Sequence, residues 1–287
     1  MTVLKTTLAG GTATDPRLPI GIDRDPDMTG GTLFRWRPRS QACLPGQAAS
    51  NVTGAHKDMT DQTGLTLYSL GGSSTPFFSA ATGEYQILDA ASGGNQGLYR
   101  PTTRNLAAAG AEAHELLFGM AMRPYLAPAD SSERSAFRIG KQTLAAGEYL
   151  TGNNWFQFLQ NNASRGGFYA MFAGQFFTVG PATQNVAVHF WLHVKPNPAV
   201  GLTEVTIYSA RYTDPQVAPK AVTITIPYVP LIDSGSHRIA LSTDGSVGSI
   251  RYNGGYFELH AEDVTVSGVS VPDLIARQWA RNKAIYV

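Results

Sequence analysis

The chain has 287 residues, a formal net charge of +1 and 15% charged residues, a balance that gives it no pull toward a polyanion and excludes nucleic acid as an expected partner. Its 30 glycines and 17 prolines, with 12 tyrosines and 13 phenylalanines, suit many turns and half-buried strands rather than long helices. The single cysteine, Cys43, allows neither an intrachain disulfide nor a cysteine metal site, and the longest apolar run, 116–122, is far too short for a membrane span. The opening residues lack the apolar stretch of an export signal. The chain is therefore expected to be made in a reducing cytosol, without membrane insertion.

Residues 1–32 are polar and broken by Asp15-Pro16, Asp25-Pro26 and Gly30-Gly31. They read as an extended N-terminal arm that needs a partner surface to order it, and 33–287 reads as one domain. In 33-LFRWRPRS-40, Phe34 and Trp36 share one strand face, and Leu33, Arg35, Arg37 and Arg39 share the other. Phe34 and Trp36 are expected to point inward, under a solvated basic face. Short strands follow at 65–70 and 84–89. The alanine-rich first half of 103–124 suits a short helix and its apolar second half a buried strand. Further strands are expected at 136–141, 154–160, 167–173 and 175–180, each bounded by Gly, Asn or Ser clusters.

The most regular segment is 186-VAVHFWLHVK-195, where Val186, Val188, Phe190, Leu192 and Val194 alternate with Ala187, His189, Trp191, His193 and Lys195. A slip of one residue would expose the whole apolar set, so the register is fixed. Strands at 203–211 and 220–229 lead into 236–268, which reads as a three-stranded meander turned at Asp244-Gly245 and Asn253-Gly254. The last element, 271–283, is a helix: Pro272 suits the first turn, and Val271, Leu274, Ile275 and Trp279 form one apolar stripe. It is expected to cap an open end of the core.

The segments 117-LFGMAMRP-124 with 137-FRIG-140, and 237-HRIALSTDGSVGSIRYNGG-255, resemble in order and form the strands of the concanavalin A-like jelly roll of the laminin-G-type group. The resemblance covers roughly 33–287. It implies an all-β, antiparallel jelly-roll β-sandwich, here with an extended N-terminal arm and one short C-terminal helix. In overall character the chain also resembles bacteriophage tail and baseplate proteins. That likeness implies synthesis in the host cytoplasm, residence in the virion, a homo-oligomer that is trimeric by analogy, and contacts to other virion proteins through residues 1–32.

Chemistry is suggested at 258-ELHAED-263, where a strand puts Glu258, His260 and Glu262 on one face about 6–7 Å apart. Glucanases of this fold space their carboxylates in this way, and a retaining mechanism wants two carboxyls about 5–5.5 Å apart. Here His260 takes the middle place. A glycan hydrolase using Glu258 and Glu262 is the enzymatic alternative, set against a solvated strand face that shares hydrogen bonds. His189 and His193 lie about 13 Å apart along one strand, too far to share a zinc ion. Oxygen-rich loops at Asp244 and at Asp130, Ser131 and Glu133 match no calcium-loop spacing. No metal or cofactor is expected.

A sugar ring offers one apolar face and a rim of hydroxyls, which aromatic and amide side chains match. Two clusters have that composition: Asn153, Asn154, Trp155 and Gln157 with Tyr169, and His189, Trp191 and His193. The function expected is that of a non-enzymatic bacteriophage virion protein binding a host-surface polysaccharide or a neighbouring subunit. A purely structural capsid or baseplate protein is the third reading.

Overall fold

The alternation of 186–195 becomes the strand Val188–Asn197, and the other expected strands assemble around it into two antiparallel sheets. The computed structural model describes residues 25, 27–45, 53–61, 63–70, 77–87, 95–101, 109, 112–125, 134–141, 154–161, 167–172, 175–180, 185–214, 220–228, 237–242 and 254–286. In chain order the strands are β1 (Thr32–Trp36), β2 (Thr66–Leu70), β3 (Phe77–Ser79), β4 (Glu84–Ile87), β5 (Asn95–Pro101), β6 (Leu116–Pro124), β7 (Arg134–Lys141) and β8 (Asn154–Asn161). They continue as β9 (Gly167–Phe172), β10 (Gln175–Gly180), β11 (Val188–Asn197), β12 (Leu202–Arg211), β13 (Lys220–Pro227), β14 (His237–Ser242) and β15 (Gly254–Asp263). A single turn, α1 (Val264–Ser267), and a sixteen-residue helix, α2 (Val271–Tyr286), close the described chain.

The larger sheet runs β13-β12-β11-β6-β15-β4-β3, and β1 lies beside β15 at the same edge as β4. The smaller runs β10-β9-β8-β7-β14-β5-β2. The chain is thus an antiparallel β-sandwich of the jelly-roll kind, with one short C-terminal helix. Between the sheets lies an apolar core that includes Phe34, Trp36, Phe118 and Leu192 from the larger sheet and Phe137, Phe158 and Ile239 from the smaller. Tyr256 on β15 spans the sandwich, its hydroxyl donating to the Ala136 carbonyl on β7 at 2.5 Å. Cys43 is buried in this core, and burial pushes its thiol up to about 12, which leaves it an inert apolar group.

Two expectations are corrected. β14 and β15 lie in different sheets, so 236–268 is not one meander; residues 243–253, with Asp244-Gly245 and Asn253, lie outside the described residues. Nor does α2 cap an open end. It lies across the outer face of the larger sheet, where Val271, Leu274, Ile275 and Trp279 pack with Leu117, Ala121, Trp191 and Phe257 in a second core. Ser270 starts the helix: its Oγ accepts from the Asp273 amide at 3.3 Å and donates to the Asp273 carboxylate at 2.7 Å.

Most of the segment read as the arm, residues 1–24 and 26, and most of the alanine-rich stretch, lie outside the described residues. Asp25 and residues 27–32 are described, and they pack against β1, β15 and α2. Among the described residues no helix is long and apolar enough to cross a membrane.

Candidate functional site

A β-bulge between Tyr256 and Glu258 sets the face of β15. An extra residue there reverses the alternation. Phe257 and Glu258 both point outward, followed by His260 and Glu262, while Leu259 and Ala261 return to the sandwich core. The sequence reading thus groups Glu258, His260 and Glu262 correctly but gives them the wrong surroundings. Their relative exposures are 0%, 1% and 2%. The basic face expected at 33–40 is corrected in the same way: Arg35 and Arg37 are buried against Asp25, Asp27 and α2, not solvated.

Glu258 is the centre of the network. Its Oε1 lies 3.0 Å from the Arg35 guanidinium and 3.1 Å from His260 Nδ1, and its Oε2 accepts from Arg37 and, at 3.0 Å, from Asn282 Nδ2. Burial by itself raises the Glu258 pKa, but Arg35, Arg37 and the His260 hydrogen bond outweigh it and hold the carboxyl well below the usual range. Arg37 also reaches Asp25 at 3.0 Å, Arg35 reaches Asp27 at 3.3 Å, and Arg281 on α2 pairs with both aspartates. Three guanidinium groups therefore meet three carboxylates, with Arg35, Arg37, Asp25 and Glu258 buried and Arg281 partly exposed at the rim.

The histidines complete it. His260 and Trp191 flank Gly119 on β6, one from each neighbouring strand, and a side chain at 119 would overlap the His260 imidazole. Glycine is needed there for room, not for its backbone freedom. His189 stacks on Trp191 with centroids 3.8 Å apart, lies 3.0 Å from the Tyr212 hydroxyl through Nδ1, and has its ring centroid 5.8 Å from that of His260. Burial pushes His189 well below, and His260 below, the usual histidine range. Trp191 Nε1 donates to Gln278 on α2 at 2.8 Å.

The second expected aromatic platform, His189, Trp191 and His193, is therefore not a surface. All three are buried, and His193 Nε2 is 2.6 Å from Glu115. Of the first cluster, Asn153 lies outside the described residues, as do the side chains of Asn154, Trp155 and Tyr169; Gln157 is buried opposite Arg138 on β7. Glu262 accepts from the Thr29 and Thr32 hydroxyls, so separate partners hold the two carboxylates of the hydrolase alternative. Sequence reasoning missed Gln278, Asn282 and Gly119. Gln278 and Asn282 interrupt the apolar stripe of α2 at a spacing of four, which places both on the buried face.

No protein-family model and no curated protein sequence matches the chain. Solved structures do. A Trypanosoma rangeli sialidase in complex with 2,3-difluoro-KDN matches over 89% of this chain and 33% of its own, at 7% identity and a TM-score of 0.53. The likeness is one of fold. The binding domain of botulinum neurotoxin DC in complex with SialylT matches over 88% of this chain and 52% of its own, at 9% identity and a TM-score of 0.45. The CBM40 of a Ruminococcus gnavus IT-sialidase matches over 68% of this chain and 95% of its own, at 11% identity and 0.41. The chain spans about a third of the length of the sialidase.

Proposed function

We propose that the chain is a non-enzymatic bacteriophage virion protein, of a tail or baseplate, whose lectin-like sandwich holds a host-surface glycan or a neighbouring subunit. The observation that carries the non-enzymatic part is the state of Glu258. A glycosidase carboxylate must reach the anomeric centre and take or give a proton, whereas Glu258 is fully buried and clamped by Arg35, Arg37 and Asn282. The sandwich fold shared with a sialidase seen with a nononic acid derivative supports the glycan part. In this reading the sugar meets the cluster around Trp155, because His189 and Trp191 are covered by α2. Residues 1–32 join the protein to other virion proteins, and the chain works as a homo-oligomer, a trimer by analogy.

A glycan array probed with the full chain and with Trp155→Ala tests this. Retention of a glycan by the full chain, weakened at least tenfold in the variant, is expected. An array without hits, together with particles that fail to assemble without the protein, favours the purely structural reading. Polysaccharide turnover that disappears in Glu258→Gln would overturn the non-enzymatic reading.

A further inference from the structure

We propose that His189, His260 and Glu258 form a buried site for a divalent transition-metal ion of the zinc class, tying β11 to β15 beneath the helix. One donor atom from each of the three side chains lies within 4.8 Å of the other two. The Nε2 atoms of His189 and His260 are both buried and have no hydrogen-bond partner. Such orphaned polar atoms are costly in a dry interior, and both belong to side chains of this cluster.

The tautomers suit a cation. Glu258 Oε1 and His260 Nδ1 stand 3.1 Å apart, close to the separation of two donors on one ion, so both can face it when that imidazole carries its proton on Nε2. The Tyr212 hydroxyl, 3.0 Å from His189 Nδ1, can accept that ring's proton and leave its Nε2 free for the ion.

The charges allow it. Arg35 and Arg37 are each also paired with Asp25 or Asp27, which offsets their charge beside the ion. Zinc holds nitrogen and oxygen donors at about 2.0–2.2 Å, which puts neighbouring donors roughly 3.4 Å apart. The three side chains close on the ion by about an ångström. Because the site is walled in, the ion is structural and enters as the chain folds. The inference goes beyond the binding function proposed above and does not depend on it.

The test is to express the full chain in zinc-supplemented medium, gel-filter it free of loose metal and measure metal per chain by mass spectrometry. Near one equivalent is expected, falling at least tenfold in His189→Gln and in His260→Gln and unchanged in His114→Gln. Wild-type protein that retains no more metal than the His189→Gln/His260→Gln double variant overturns the site. If these variants do not fold, the cobalt-loaded wild type decides. Two paramagnetically shifted imidazoles in its proton NMR spectrum support the site, and none overturns it.

Discussion

The two faces of the larger sheet are both buried, but by opposite chemistry. The inner face presents Phe34, Trp36, Phe118 and Leu192 to the smaller sheet. The outer face, on the same strands, presents Arg35, Arg37, Glu258, His260 and His189 to α2 and the 25–29 segment. Inner side chains contribute about 1.5–3 kcal/mol each by leaving water, with little demand on who their neighbours are. Outer side chains gain little net free energy from pairing, because desolvating the ions offsets the attraction. What the outer face supplies is a single arrangement: a helix shifted by one turn would take Asn282 and Arg281 away from their carboxylates. The inner face stabilises the sandwich, and the outer face fixes how the helix and the N-terminal segment dock on it.

The largest expected effect comes from leaving that face unbalanced. Glu258→Gln leaves Arg35 and Arg37 short of a counter-charge and is expected to destabilise the chain by about 3–5 kcal/mol in urea unfolding. The loss should be nearly independent of salt; a loss under about 1 kcal/mol would mean that the outer face is wet. On the inner face, Leu192→Ala is expected to cost about 2–5 kcal/mol, from lost transfer energy and the cavity left behind. Unlike Glu258→Gln, it should cost the same at every pH.

Acid should act on the outer face alone. His189 and His260 have folded pKa values below the unfolded value of about 6.5, so the unfolded chain binds more protons and stability falls as pH drops below about 6.5. His193 acts in the same sense, through its burial. Glu258, held low, adds its own loss once pH falls below the ordinary carboxylate range. Asp27 and Glu262, pushed up by burial, work the other way and soften the fall. Midpoints measured between pH 8 and 5 should decline. A flat profile in both wild type and Leu192→Ala would put the histidines in water. The smallest effect is expected at the edge strand β13, where exposed Val222→Thr should change stability by no more than about 0.5 kcal/mol.

The inner face was legible in the sequence because alternation reports it directly. Phe190, Leu192 and Val194 repeat at period two, and so do Phe34 and Trp36. The outer face carries the same alternation in polar residues, and a polar face normally means solvent. Nothing local to Arg35 or Glu258 announces that α2, which begins only at Val271, will cover them. The neighbours of His189 stay hidden in the sequence for a related reason. Spacing along one strand compares His189 with His193, whereas the sheet register brings His189 beside Glu258 and His260 through Ala121 and Gly119 of β6. Cross-strand neighbours depend on sheet order, which periodicity does not contain.

The most direct test of the sealed outer face is hydrogen–deuterium exchange at the imidazole carbons, followed by mass spectrometry on the chelator-treated full chain. His114, whose side chain is partly exposed, serves as the internal reference. His189 and His260 should exchange at least tenfold more slowly than His114, because they are buried and resist protonation. Exchange of either ring at the rate of His114 would contradict the account.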